Sequence, residues 1–251
     1  MFRKALLAIL FLFFCTFAQA AITLDAQTTA EEHDTPNSLT TSFTVASNDN
    51  RMLVVFVHND HTGVSYDTNP NSVTWNGTGL TQSNIQQYWS NQASGSIWYL
   101  IAPETGTHDI VTTYATSYNG HFQHHIRSLY NVAQQAPEAS SDDEFTSTTV
   151  TTVTNNAMVV AGCGRNQWTS PDMGNPASSY TNAMAQWDNG RWSCQSRSAI
   201  KIVTTAGNET PSCTSSDARV VVAAAFAEAS AATATLNNKR AVGNGIMRGV
   251  R

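Results

Sequence analysis

The chain has 251 residues, a formal charge of −5 and only 12% charged side chains. So few Lys and Arg, and no cluster of them, exclude a phosphate-gripping nucleic-acid binder; the acidity reads as solubility outside a cell. Abundant Thr and Ser with little Lys point to strands and turns.

The first element in chain order is a leader. Arg3 and Lys4 precede an uncharged apolar run from Ala5 to Phe17, and Ala18-Gln19-Ala20 places small residues where a signal peptidase reads. This order predicts a Sec-type signal peptide over residues 1–20, cleaved between Ala20 and Ala21. The run is shorter than the roughly 20 residues of a membrane span. Phe13 and Phe14 before Cys15 are not the small residues of a lipoprotein site. Cleavage leaves 231 residues with 11 basic and 18 acidic side chains, a formal charge of −7. The mature chain is expected to be secreted, periplasmic or on the cell surface, with no remaining membrane span. Its length suits one large all-β domain or two small ones.

Strand signals follow almost without a break. Ser42-Phe43-Thr44-Val45 alternates polar and apolar. After the turn cluster Asn48-Asp49-Asn50, the continuous run Met52-Leu53-Val54-Val55-Phe56-Val57 predicts a strand covered on both faces. Val73 to Leu80 reads as a hairpin, because Asn76-Gly77 tolerates the positive φ of a type I′ turn. Ser96 to Ile101, His108 to Tyr114 and Phe122 to Tyr130 complete a first half. Ala136 to Ser147, with Pro137, several serines and Asp142-Asp143-Glu144, reads as a connector.

The pattern then restarts. Asn155-Asn156-Ala157-Met158-Val159-Val160 echoes Asn50-Arg51-Met52-Leu53-Val54-Val55. A long polar and aromatic loop is expected from Gly164 to about Tyr180, then strands at Arg197 to Thr204 and Arg219 to Glu228. The fold class is therefore all-β: a two-layer antiparallel β-sandwich, jelly-roll-like, over residues 21–229, with two weakly similar halves at about 38–133 and 148–229. Leu53, Val55, Val159 and Val221 belong to its core. Residues 230–251, whose charges are Lys239, Arg240, Arg248 and Arg251, form a flexible basic tail.

Three cysteines survive cleavage: Cys163, Cys194 and Cys213. An odd count outside the cytoplasm predicts one disulfide and one free thiol. Cys194 and Cys213 bracket the strand at Arg197 to Thr204 and are the preferred pair. The hairpin register argues against them, and a bridge from Cys163 to either partner is the alternative.

The runs from Asn50 to Val55, Val73 to Gly77 and Ile97 to Leu100, with Pro103, Gly106, Arg127 to Val132 and Val220 to Phe226, resemble a group of secreted bacterial and phage β-sandwich domains. These occur alone behind signal peptides or as modules of surface and adhesive proteins. The resemblance covers most of residues 38–228 and implies a jelly-roll-like sandwich of no settled activity. It carries over no catalytic residue.

His121-Phe122-Gln123-His124-His125 is the densest group of metal-ligand types. On a strand, His121, Gln123 and His125 share a face and His124 points opposite. His121 and His125 lie about 13 Å apart, too far to share an ion on a straight strand. The segment reads as a polar strand edge, although His58-Asn59-Asp60-His61 could join it in space. Asp60, Asp67 and Asn69 flank an oxygen-rich loop, but without EF-hand spacing they read as turn residues, with a structural calcium the lesser alternative. No cofactor is expected.

Trp168, Trp187 and Trp192 sit among amides, glycines and Asp188. An exposed aromatic beside amides and carboxylates is the equipment for stacking on a sugar ring and bonding its hydroxyls. Trp168, Trp187, Trp192 and Asp188 are therefore the candidate ligand-binding residues, with a glycan or cell-surface component as partner. No Gly-x-Ser-x-Gly elbow, His-Glu-x-x-His or phosphate loop is present. The leading expectation is a non-catalytic exported module for adhesion or glycan binding. A secreted carbohydrate-active enzyme with a hidden carboxylate pair, or a structural component of an extracellular assembly, is the alternative.

Overall fold

The computed structural model describes residues 20–33, 37–61, 69–88, 93–114, 120–144, 146–166, 179–187, 194–213 and 220–230. Every named element is a strand: β1 Thr23–His33, β2 Ser38–Val45, β3 Met52–His61, β4 Ser72–Trp75, β5 Thr78–Gly79, β6 Thr81–Tyr88, β7 Ala93–Ile101, β8 Gly106–Thr113, β9 Gly120–Tyr130, β10 Ala139–Glu144, β11 Val150–Thr151, β12 Ala157–Asn166, β13 Thr181–Trp187, β14 Cys194–Val203, β15 Asn208–Glu209 and β16 Val220–Phe226. Among the described residues no helix is long and apolar enough to cross a membrane. The predicted signal peptide lies outside the described residues up to Ala20, and so does the predicted tail beyond Ser230.

The strands make four antiparallel sheets. The first half has an inner sheet in the order β1-β9-β3-β7-β6 and an outer sheet β2-β8-β4-β5. The second half repeats this with an inner sheet β10-β16-β12-β14-β13 and a small outer sheet β11-β15. Position by position, the inner sheets have the same connectivity. Each half is a two-layer sandwich, wound as a jelly roll with outer strands lying between inner ones in sequence, where the sequence predicts a single two-layer sandwich over residues 21–229.

The two inner sheets then pack on each other, which makes a stack of four layers. This explains the unbroken apolar run of β3. Leu53, Val55 and Val57 pack against Phe43, Val73, Trp75 and Ile110 of the first outer sheet. Met52, Val54 and Phe56 point the other way, into a seam shared with Met158, Val160, Ile200 and Phe226 of the second half. Burying each such side chain contributes about 1.5–3 kcal/mol. Leu53, Val55, Val159 and Val221 are all at 0% exposure, as the sequence predicts. The Asn76-Gly77 hairpin also forms as expected: both residues have positive φ, and Leu80 N donates to Val73 O.

Three further readings, of the strands and their repeat, need correction. The segment read as a connector contains β10, which pairs along its length with β16 from Ala139↔Ala225 to Glu144↔Val220. The loop expected from Gly164 begins later, because β12 continues to Asn166. The repeat is real in topology, but the sequence echo aligns it one residue out. Asn50 and Asn156 share a positive φ at the same turn, and Met52 and Met158 share the seam. A one-residue slip would turn every side chain of β12 to the wrong face.

Candidate functional site

Across the seam, β9 meets β14 while β7 meets β16, and β1 meets β13 while β6 meets β10. That exchange is what a two-fold axis running between β3 and β12, parallel to both, produces. On that axis β3 and β12 are the one pair of equivalent strands that face each other, and two large side chains cannot occupy matching positions there. The chain resolves this with glycine. A Cβ on Gly162 would lie 2.5 Å from the Phe56 ring, and one on Gly164 would run into the His58 ring. Phe56 and His58 are the two-fold counterparts of these same glycines.

The seam is chemically lopsided. On the β7/β16 side it is apolar: Tyr99 meets Phe226 edge-on at 6.2 Å, and a Cβ on Gly95 would lie 3.1 Å from Val220. On the β9/β14 side it is polar. His125 Nδ1 lies 2.9 Å from Ser198 Oγ, and its Nε2 lies 2.7 Å from Ser196 Oγ. Arg127 donates to Ser198 Oγ at 2.8 Å, to Ser198 O at 3.1 Å and to Asn182 O at 3.0 Å. All of these residues but Asn182 are buried. His125 stands edge-on to Phe56, with ring centroids 5.4 Å apart.

Burial, with Arg127 nearby, holds the His125 pKa well below 6.5, so the ring is neutral at neutral pH. One ring nitrogen then donates to a serine and the other accepts. Both nitrogens are engaged with hydroxyls, so no carboxylate orients the ring, and the His–Ser contacts lack the triad relay. Burial lowers the Arg127 guanidinium to about 9, still protonated at neutral pH. These groups clamp β9 of one half to β14 of the other.

The histidine segment is therefore not a polar strand edge. β9 runs between β1 and β3, and His121, His124 and His125 are buried. The predicted facing holds. His124 points into the first sandwich, where Nε2 lies 2.7 Å from Thr112 Oγ1 and Nδ1 lies 3.3 Å from Thr41 Oγ1. Burial pushes its pKa down to about 3. His58 and Asp60 do come beside the segment, in register with Gln123 and His121 respectively. His58 Nδ1 lies 2.8 Å from Ser94 O, and burial lowers its pKa to about 4. Among the described residues no group of three or more His, Cys, Asp or Glu side chains is arranged to hold a metal. Of the suggested calcium residues, Asp60 is buried, Asn69 Oδ1 accepts from Gln82 Nε2 at 3.2 Å, and Asp67 lies outside the described residues.

Of the candidate ligand-binding residues, Trp168, Asp188 and Trp192 lie outside the described residues. Trp187 closes β13, paired with Gln195, and its side chain lies outside them too. Register brings the chain ends that flank these residues together. Asn166 at the end of β12 pairs with Cys194 at the start of β14, and Trp187 is beside Gln195. All belong to one end of the second inner sheet.

The preferred disulfide is corrected. The bridge joins Cys163 to Cys213, with Cα atoms 6.3 Å apart. The reason is layer geometry. Cys163 points away from the seam, beside Val221, and Cys213 lies in the covering layer, where its N–H bonds to Thr146 O. Cys194 sits at the start of β14, whereas the β14 residue opposite Cys163 is Arg197. The bridge thus staples the two layers of the second sandwich.

One groove of about 340 Å³ opens into the seam, lined by Ile22, Leu24, Met158, Asn182, Ile200 and Ile202, with Thr23 and Thr181 completing it. It lies between β1 and β13, where a bulge shifts the register of β13 between Thr181 and Met184.

No protein-family model matches the chain, and neither a curated protein nor a solved structure shows detectable similarity to it.

Proposed function

We propose that the protein is an exported, non-catalytic double β-sandwich that binds a glycan or other cell-surface component through the end of its second half. The observation that carries this reading is the register that pairs Asn166 with Cys194 and, one position on, Trp187 with Gln195. In sequence, Trp168, Asp188 and Trp192 stand within two residues of those positions. Flat aromatic faces with amides and a carboxylate beside them suit a sugar ring and its hydroxyls. The chemistry inside the seam supports a binding module over an enzyme: His125 and Arg127 are buried and engaged in joining the halves. The Cys163–Cys213 bridge fits an oxidising compartment.

A glycan array probed with the mature protein tests the proposal. Binding to a defined sugar class that falls at least tenfold in Trp168→Ala, Trp187→Ala or Trp192→Ala, a loss of about 1.4 kcal/mol, is the expected result. An empty array, or binding unchanged in all three variants, would overturn it.

A further inference from the structure

We propose that the seam between the two sandwiches is an acid-released latch: protonation of His125 frees β9 from β14, and the halves part on the β1/β13 side while staying joined along β6 and β10. The observation behind this is the unequal chemistry of two sides that the two-fold arrangement makes equivalent in backbone.

The β6/β10 side is a spine. Asn84 Nδ2 donates across it to Ser141 O at 2.7 Å and to Ala223 O at 3.1 Å. Beside it lie the apolar contacts of Gly95 with Val220 and Tyr99 with Phe226, which contain no titratable group in the range of His. The β1/β13 side depends on polar clamps. Its cross-seam hydrogen bonds run from His125 and Arg127 to Ser196, Ser198 and Asn182. The groove opens on this side, where Ile202 is 37% exposed.

Protonating His125 makes both ring nitrogens donors, so the acceptor role toward one serine is lost. The new charge lies among groups that are cationic or can become so. On β9 these are Arg127, with His121 on the same face and His124 on the other; on β3, His58; on β14, Arg197. The acidic groups in the vicinity are Asp60 on β3 and Glu31 on β1, placed in register with His121 and Gln123. Opposite Phe56 and His58, β12 presents the glycines Gly162 and Gly164. Arg127, protonated throughout this range, opposes the new charge, and His58 adds to it once it too is protonated, at about pH 4.

The test places spin labels on exposed positions of the two edge strands, using Gln27→Cys and Ala185→Cys in the mature protein with Cys194→Ser. A second pair, Ser83→Cys and Ser140→Cys, reports on the spine. Between about pH 7 and about pH 3, the edge pair is expected to shift to longer distance while the spine pair and the far-UV β signal stay unchanged. Ser198→Ala removes the hydroxyl shared by His125 and Arg127 and should move the opening to higher pH. His125→Gln keeps a donor and an acceptor without titrating and should abolish the opening over that range. The proposal is overturned by an edge distance that does not change with acid. Equal lengthening of both pairs, or opening of His125→Gln at the wild-type pH, overturns it too.

Discussion

Replacing Gly162 by Ala tests the seam most directly. The new methyl would lie 2.5 Å from two atoms of the Phe56 ring and 2.7 Å from a third. Carbon atoms rest at about 3.5–4.0 Å, so the ring must withdraw by about 1 Å. It has little room to do so. Phe56 is 1% exposed, edge-on to His125, and a Cβ on Gly95 would already lie 3.2 Å from its ring. Over-packing of this kind costs about 1–3 kcal/mol. At about 2–4 °C per kcal/mol for a domain of this size, Tm should fall by about 2–12 °C. Phe56→Ala alone should cost about 3–5 kcal/mol through the cavity it leaves. In the double variant the methyl added at Gly162 enters vacated space. The combined loss should therefore be smaller than the sum by about the clash, 1–3 kcal/mol. Urea unfolding of the four proteins measures this cycle. Additivity within about 0.5 kcal/mol would refute the claim that these positions oppose each other across the seam.

Cys213→Ser should lower stability by about 4 kcal/mol in the loop-closure model, because the bridge spans a sequence separation of 50. Non-reducing peptide mapping of the parent should recover Cys163 linked to Cys213. Thr112→Val removes the hydroxyl 2.7 Å from His124 Nε2 and leaves a buried ring nitrogen without that partner. A loss of about 1–3 kcal/mol in denaturant unfolding is expected, with binding at the far end of the second half unchanged. His58 and His124 are held neutral by burial, at about 4 and about 3. Below pH 6.5 the unfolded chain takes up protons that the native state refuses, so stability falls as pH falls. The slope is about 1.4 kcal/mol per pH unit for each histidine, flattening once its folded value is passed. A stability constant between pH 7 and pH 4 would contradict their burial as neutral rings.

Local chemistry was legible in the residues. Asn76-Gly77 specifies its turn by tolerance of positive φ, and the run Met52 to Val57 announces a strand buried on both faces. The alternation of His121, Gln123 and His125 against His124 follows from the pleat alone. What covers each face was not legible. The same apolar run serves a strand between two sheets of one sandwich or one between two sandwiches. β10 was hidden because its Ser and Asp side chains carry the pattern of an exposed connector; its strand state comes from backbone pairing with β16. The cysteine pairing failed for the same reason. Sequence spacing gives loop length, whereas a bridge needs Cα atoms within about 7 Å, and only the stacking of layers brings Cys163 to Cys213. Most strands, their turns and the facing of their side chains depend on neighbours along the chain, so the residues alone specify them. That Gly162 faces Phe56 and that His125 meets Ser196 and Ser198 came from the packing of the sheets. Those contacts join residues 71 or more positions apart and exist only once one sheet lies on the other.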